Sequence, residues 1–320
     1  MVSVMNEQNI LLQRVDNDEI KIINQYYTCQ LSSFDADLQK TSQYLTQAIL
    51  LEVNTHPKPG LVTRLSNGSH NDMSIITFMM GSAVLSKAFQ DLQDIGTAHQ
   101  GSLDELFKKI RSYGISAERE LLRVTKGINT QRGILFAGGL VSGVAGYAMS
   151  HGGDRQAIIP LLKNMTAGLV DKELRSLAYR GTTAGEKLFK ESGITGIRGE
   201  VEKGFPSVLK HGLPALKQAV DKGANLNDAL VQTLIALMTV VEDSNVVWRT
   251  DLATLFEVQN IAANILALGG VFTDLGRKAI AKAEKYFESK RISPGGSADL
   301  LSITITLYLL ENKEFPYDIF

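Results

Sequence analysis

Apolar side chains recur at helical spacing along almost the whole chain, while sustained period-two alternation is scarce. Leu38, Leu45, Ile49 and Val53 fall on one helix face; Ile75, Phe78, Met79 and Leu85 on another; Leu103, Leu106, Phe107 and Ile110 on a third. Helix-start chemistry agrees with these stripes. Ser102 and Glu105 have capping-box spacing, and Ser74, Asp154 and Thr273 each stand just before a periodic segment. Residues 21–24 and the β-branched run 303–306 are the stretches that suit strands, and the second lies inside a long apolar segment that also suits a buried helix. The spacing predicts an all-α fold rather than an α/β one.

The longest apolar run, 134–149, carries Gly138, Gly139, Gly143 and Gly146 and, at about 16 residues, is shorter than the roughly 18 of a membrane span. It is expected to form a buried, closely packed helix. No proline-rich linker, repeat or composition break divides the 320 residues, of which 44% are hydrophobic. The chain reads as an N-terminal appendage, 1–36, followed by a single compact multi-helix domain, 37–320.

A net charge of -1 gives no long-range pull toward a nucleic-acid polymer or an anionic membrane, and leaves room for a small anionic substrate held by local cations. The lone Cys29 cannot form an intrachain disulfide, and Glu7, Arg14 and Asp16 interrupt any signal-peptide core. A cytoplasmic setting is the expectation. Oligomeric state is open, a homo-oligomer included.

Two apolar runs of helical spacing lead into acid: one runs into Glu52, the other into Glu242 and Asp243. A carboxylate at a helix C-terminus is disfavoured by roughly 0.3–1 kcal/mol unless a cation compensates. Basic and amide residues follow each: Asn54, His56, Lys58 and Arg64 after the first, Asn245 and Arg249 after the second. Five polar segments in all separate the helices, at 52–72, 125–133, 193–206, 242–251 and 292–299.

P-loop and Rossmann glycine patterns are absent, as are His-Glu-x-x-His and cysteine clusters. What remains is oxygen chemistry. Glu52, Asp72, Asn129, Glu200, Glu202, Asp243, Asn245 and Asp299 suit Mg²⁺, which prefers oxygen ligands. If 193–206 is extended, Glu200 and Glu202 share one side and converge on an ion; as a solvated loop they do not. Gly295 and Gly296 before a helix free backbone N–H groups for an anion, while Ser297 and Asp299 also read as simple capping. Residues 129–133 offer amides and Arg132 at a helix entry, and His56 and His70 flank the first polar segment.

Taken in order, these segments resemble the triphosphoribosyl-dephospho-CoA synthase family. The resemblance rests on Glu52-Val-Asn-Thr-His-Pro-Lys-Pro-Gly-Leu-Val62, Asn67-Gly-Ser-His-Asn-Asp-Met73 and Gly127-Ile-Asn-Thr-Gln-Arg-Gly133. It continues through Thr183-Ala-Gly-Glu-Lys-Leu188, Gly196-Ile-Arg-Gly-Glu-Val-Glu-Lys-Gly-Phe-Pro206, Asp243-Ser-Asn-Val246 and Ile292-Ser-Pro-Gly-Gly-Ser-Ala-Asp-Leu-Leu301. Four positions depart from the family's usual pattern: Thr63 where Asp is usual, Gln131-Arg132 where His-Lys is usual, and Trp248 where the residue is commonly small or polar.

The resemblance implies an all-α domain whose polar Gly-rich loops converge on one nucleotide site. It also implies transfer of the triphosphoribosyl group of ATP to the ribose 2′-hydroxyl of 3′-dephospho-CoA, releasing adenine. The product would pass to a transferase that modifies an acyl carrier protein of citrate lyase or malonate decarboxylase. Glu52, Glu200 and Asp243 are then the expected catalytic carboxylates, with Asp72, Glu200, Glu202 and Asp243 as Mg²⁺ ligands. Lys58, Arg64, Arg132, Arg198, Lys203 and Arg249 are expected on phosphates, and His70, Asn129, Gln131, Asn245, Ser297 and Asp299 elsewhere on the substrates. Two other readings share these residues: a Mg²⁺-dependent hydrolase of ADP-ribose-type N-glycosides, and a non-catalytic helical nucleotide- or CoA-binding protein.

Overall fold

The computed structural model describes residues 36–175 and 184–319, so the N-terminal appendage and the strand considered at 21–24 lie outside the described residues. Within them every regular element is helical. After one turn at Ala36–Gln39 come α1 (Thr41–Asn54), α2 (Ile75–Thr97), α3 (Leu103–Val124), α4 (Arg132–Ser150) and α5 (Ile158–Met165). Then follow α6 (Ala184–Ser192), α7 (Gly196–Glu202), α8 (Leu213–Asp221), α9 (Leu226–Met238), α10 (Ser244–Arg249), α11 (Leu252–Ala267), α12 (Asp274–Lys290) and α13 (Gly295–Asn312).

The glycine-studded run becomes α4, a central helix that buries 13 of its 19 residues and is therefore a core element rather than an amphipathic surface one. Its tightest seam is with α2. A Cβ on Gly96 of α2 would stand 1.9 Å from the Gly143 carbonyl oxygen, and one on Gly146 would stand 2.0 Å from that of Gln93. The two backbones touch because neither helix carries a side chain there. Gln93 also receives the start of α1, accepting from Ser42 N–H at 2.8 Å and donating to the Leu38 carbonyl at 3.0 Å.

The 303–306 run lies inside α13, which is buried on every side. Its threonines tolerate a helical core because Thr304 and Thr306 each donate their hydroxyl to the carbonyl four residues back, at 2.8 Å. Two stretches, 132–150 and 252–272, are long and apolar enough to cross a membrane by length and composition alone. The first is the buried α4, and the second packs its α11 part on α9 and α12.

The α2–α4 seam predicts opposite effects for two glycines. Gly96→Ala is expected to cost about 1–3 kcal/mol by forcing the helices apart. Gly114→Ala in α3, where a Cβ meets nothing within 4 Å, is expected to add about 0.5–1 kcal/mol. Thermal unfolding of the two variants checks the order.

Candidate active site

A cleft of about 420 Å³ opens where five loop-and-helix-end segments meet, and each of the five polar segments of the sequence supplies part of its wall. The end of α1 gives Glu52, and the following loop gives His70 and Asp72. Asn129, Thr130, Gln131 and Arg132 come from the entry to α4, Glu200 from α7, Glu242, Asn245 and Arg249 from the start and face of α10, and Asp299 from the first turns of α13.

Glu52 sits in the last turn of α1, where the helix offers no cation of its own. Lys58, only 1% exposed, reaches back and binds the Glu52 carboxylate directly. Burial raises the Glu52 pKa and lowers that of Lys58, while each charge favours the charged form of the other. This is the compensation that an acid at a helix end requires.

The second acid-ended helix does not exist in that form. Helix α9 stops at Met238, and Asp243 instead caps the start of α10, accepting from the Asn245 and Val246 N–H groups at 3.1 and 3.4 Å. The same carboxylate accepts from Gly296 N–H at 3.1 Å, Ser297 N–H at 2.8 Å and the Ser297 hydroxyl at 3.0 Å, at the start of α13. The backbone donors freed by Gly295 and Gly296 thus hold an internal anion. A Cβ on Gly296 would meet the Asp243 carboxyl carbon at 3.1 Å, so a side chain there would press on the joint. Ser297 is consumed here, and Pro294 takes the N-cap position.

Asp299 projects from α13 onto Gly133, where a Cβ would stand 1.9 Å from Oδ2, and accepts from the Ile134 N–H at the start of α4. Burial, followed by the nearby charges of Glu52 and Asp243, holds its pKa well above the usual carboxylate range. Glu200 is also raised by burial, against hydrogen bonds from Ser207: the hydroxyl at 2.5 Å and the N–H at 3.2 Å.

Residues 196–202 form a helix, so Glu200 and Glu202 point to different sides. The segment is thus neither the extended edge nor the solvated loop weighed for it: Glu200 lines the cleft and Glu202, expected as a Mg²⁺ ligand, does not. Among the expected cations, Arg132 and Arg249 line the cleft. Arg64 closes the loop instead, donating to the Asn54 carbonyl at 2.6 Å and to Asn227 at 3.0 Å. Arg198 donates to Glu173 at 2.8 Å, and Lys203 is exposed beyond α7. Thr63 faces away from the cleft and receives the Leu65 and Ser66 N–H groups at 3.1 and 3.0 Å, a turn-stabilising role that an aspartate would also fill.

Three buried polar atoms of the lining have no hydrogen-bond partner: His70 Nδ1, Thr130 Oγ1 and Gln131 Oε1. Unpaired buried polar atoms are costly, and their concentration in one cleft marks a place for a polar ligand. His70 is fixed by a 2.8 Å contact from Nε2 to the Ser293 hydroxyl. Burial, then the Arg249 charge, pushes its pKa down to about 4, so it is neutral at pH 7. Thr130, Phe78, Glu242 and Trp248 also line the cleft. The sequence reading gave none of them a role, although Trp248 stands three residues after Asn245.

Two predictions follow from the buried charges. Lys58→Met strands Glu52 and is expected to cost about 3–5 kcal/mol in urea unfolding, most of it recovered in the Glu52→Gln, Lys58→Met double variant. His70 stays neutral in the fold down to about pH 4 but takes a proton near the ordinary imidazole value of 6.5 when unfolded. Its contribution is therefore complete above about pH 6.5 and lost as pH falls toward 4. Melting temperatures across that window should fall less for His70→Gln than for the parent.

A family model described as ATP:dephospho-CoA triphosphoribosyl transferase (CitG) matches residues 38–315. The chain is 40% identical over 276 residues to a probable 2-(5''-triphosphoribosyl)-3'-dephosphocoenzyme-A synthase of Malonomonas rubra, covering 85% of this chain and 87% of that protein. It is 39% identical over 269 residues to the 2-(5''-triphosphoribosyl)-3'-dephosphocoenzyme-A synthase of Pectobacterium atrosepticum, covering 83% and 87%. With a probable synthase of Streptococcus equi subsp. equi it shares 34% identity over 286 residues, covering 85% and 97%. No solved structure matches it. The order of its motifs, the cleft they build and these relatives agree: the chain belongs to the ATP:dephospho-CoA triphosphoribosyl transferase family.

Proposed function

We propose that this chain transfers the 5-triphosphoribosyl group of ATP to the 2′-hydroxyl of 3′-dephospho-CoA and releases adenine. The observation that carries the reading is the meeting of Glu52, Glu200 and Asp299 in one cleft with Arg132 and Arg249. In the reaction the bond from C1′ to adenine breaks, the 2′-oxygen bonds to C1′, and the hydroxyl proton is in effect passed to adenine. A carboxylate beside C1′ stabilises an oxocarbenium-like transition state, as in glycoside hydrolysis. Glu52, its charge matched by Lys58, suits that role. Asp299, whose pKa is raised, suits delivery of a proton to the leaving adenine, and Glu200 suits removal of the hydroxyl proton. Asp243 acts beneath them by setting the positions of α10 and α13.

Both substrates are polyanions, yet Glu52, Asp72, Glu200, Glu242 and Asp299 outnumber Arg132 and Arg249 in the lining. That imbalance favours a divalent cation, and among the described residues no group of three or more His, Cys, Asp or Glu side chains forms a ready metal site. The donor set fits Mg²⁺ arriving with ATP, its shell completed by waters and phosphate oxygens. Of the four carboxylates expected as ligands, Asp72 and Glu200 line the cleft and are the ones placed to reach it. When bound, the ion would neutralise phosphate charge. The product suits a later transferase that loads an acyl carrier protein.

Incubation with ATP, Mg²⁺ and dephospho-CoA, followed by mass spectrometry, is expected to give adenine and the joined product in equal amounts, and EDTA to suppress both. Adenine without dephospho-CoA would indicate a hydrolase, and tight ATP binding without adenine a binding protein. Glu200→Gln and Asp299→Asn are each expected to lower kcat about a hundredfold or more with the fold intact. Activity should fall as pH rises through the Asp299 pKa, and Asp299→Asn should remove that limb.

A further inference from the structure

Helix α10 divides its residues between two environments. Val246 and Val247 are buried, whereas Asn245, Trp248 and Arg249, at i, i+3 and i+4, are exposed and line the cleft together. Trp248 is the only tryptophan in the chain and is 53% exposed. A large aromatic left open on a cleft wall is a stacking surface for a planar ligand ring. Asn245 lies over Gly295, where a Cβ would stand 2.8 Å from Nδ2, and among the described residues its side-chain amide has no hydrogen-bond partner. An amide offering donor and acceptor side by side matches the edge of adenine. Arg249 is held by the Arg291 carbonyl at 3.3 Å and the Ser69 carbonyl at 3.2 Å. Asp243 fixes the start of the helix, so the three side chains stand on a rigid support.

We infer that an adenine ring stacks on Trp248, with Asn245 at its hydrogen-bonding edge and Arg249 toward the adjoining phosphate. This rests on the transferase reading, in which both substrates carry adenine: that of ATP departs and that of dephospho-CoA stays. The shared chemistry is the purine ring, and the two sources separate experimentally.

The single tryptophan makes the test direct. Indole fluorescence of the full chain, excited at its red edge, is titrated with Mg·ATP and separately with 3′-dephospho-CoA, with tripolyphosphate and pantetheine as adenine-free controls. Saturable quenching by one adenine compound, and none by the controls, is expected and identifies the stacked ring. Trp248→Ala should then raise KM for that substrate about 5- to 100-fold, leave the other within roughly twofold, and be largely rescued by Trp248→Phe. Equal responses to nucleotides and controls, or unchanged KM values in Trp248→Ala with adenine still released, would overturn the inference. Adenine-dependent quenching in a protein that releases no adenine would uphold the subsite and reject the transferase reading instead.

Discussion

The buried Asp243 carboxylate gathers hydrogen bonds from the first residues of two helices that are far apart in sequence, and the geometry of the cleft follows from that junction. A carboxylate taken from water is unfavourable unless its lone pairs are met, and here backbone donors at two positive helix ends meet them. A side chain at position 296 would crowd the joint, which ties the start of α13, from which Asp299 leaves, to the start of α10. Asp243 is therefore the support of the cleft, and the carboxylates proposed to react belong to the layer of side chains that lines it.

That layer concentrates negative charge. Glu52 tolerates burial through Lys58, Glu200 through Ser207, and Asp299 through the Ile134 N–H together with a raised pKa. Each arrangement is local, and none leaves the cleft positively charged. A cleft of this kind does not attract polyphosphate by bulk electrostatics; under the proposed function it suits ligands that bring a cation and that place developing positive charge, such as an oxocarbenium-like sugar, beside the carboxylates. The orphaned His70, Thr130 and Gln131 atoms point the same way, toward a cleft completed by a polar ligand.

The helical fold was legible because the apolar spacing of this chain is long-range and regular, and because glycines in the 134–149 run announced a close helix contact that α2 and α4 make. The polar segments were legible as wall-forming regions. What local pattern did not reveal was direction. Charge and glycine at 196–204 left extended chain and solvated loop open for Glu200 and Glu202, whereas the segment closes into a helix. Asp243 followed an apolar run and so looked like a helix end, although its partners lie more than fifty residues away at Gly296 and Ser297. Arg64 and Arg198 carried the right charge but are taken up by Asn227 and Glu173, contacts set by tertiary packing. Trp248 was visible as a departure from the family pattern, yet only the fold turns it, with Asn245 and Arg249, to the cleft.

In the proposed reaction the cleft exchanges the bond at C1′ and leaves the phosphate chain whole. ATP labelled in its terminal phosphate, followed through a single turnover with dephospho-CoA, shows which bond breaks. The label is expected entirely in the joined CoA product, matched by free adenine. Label in inorganic phosphate or pyrophosphate, with adenine still attached to its ribose, would contradict it.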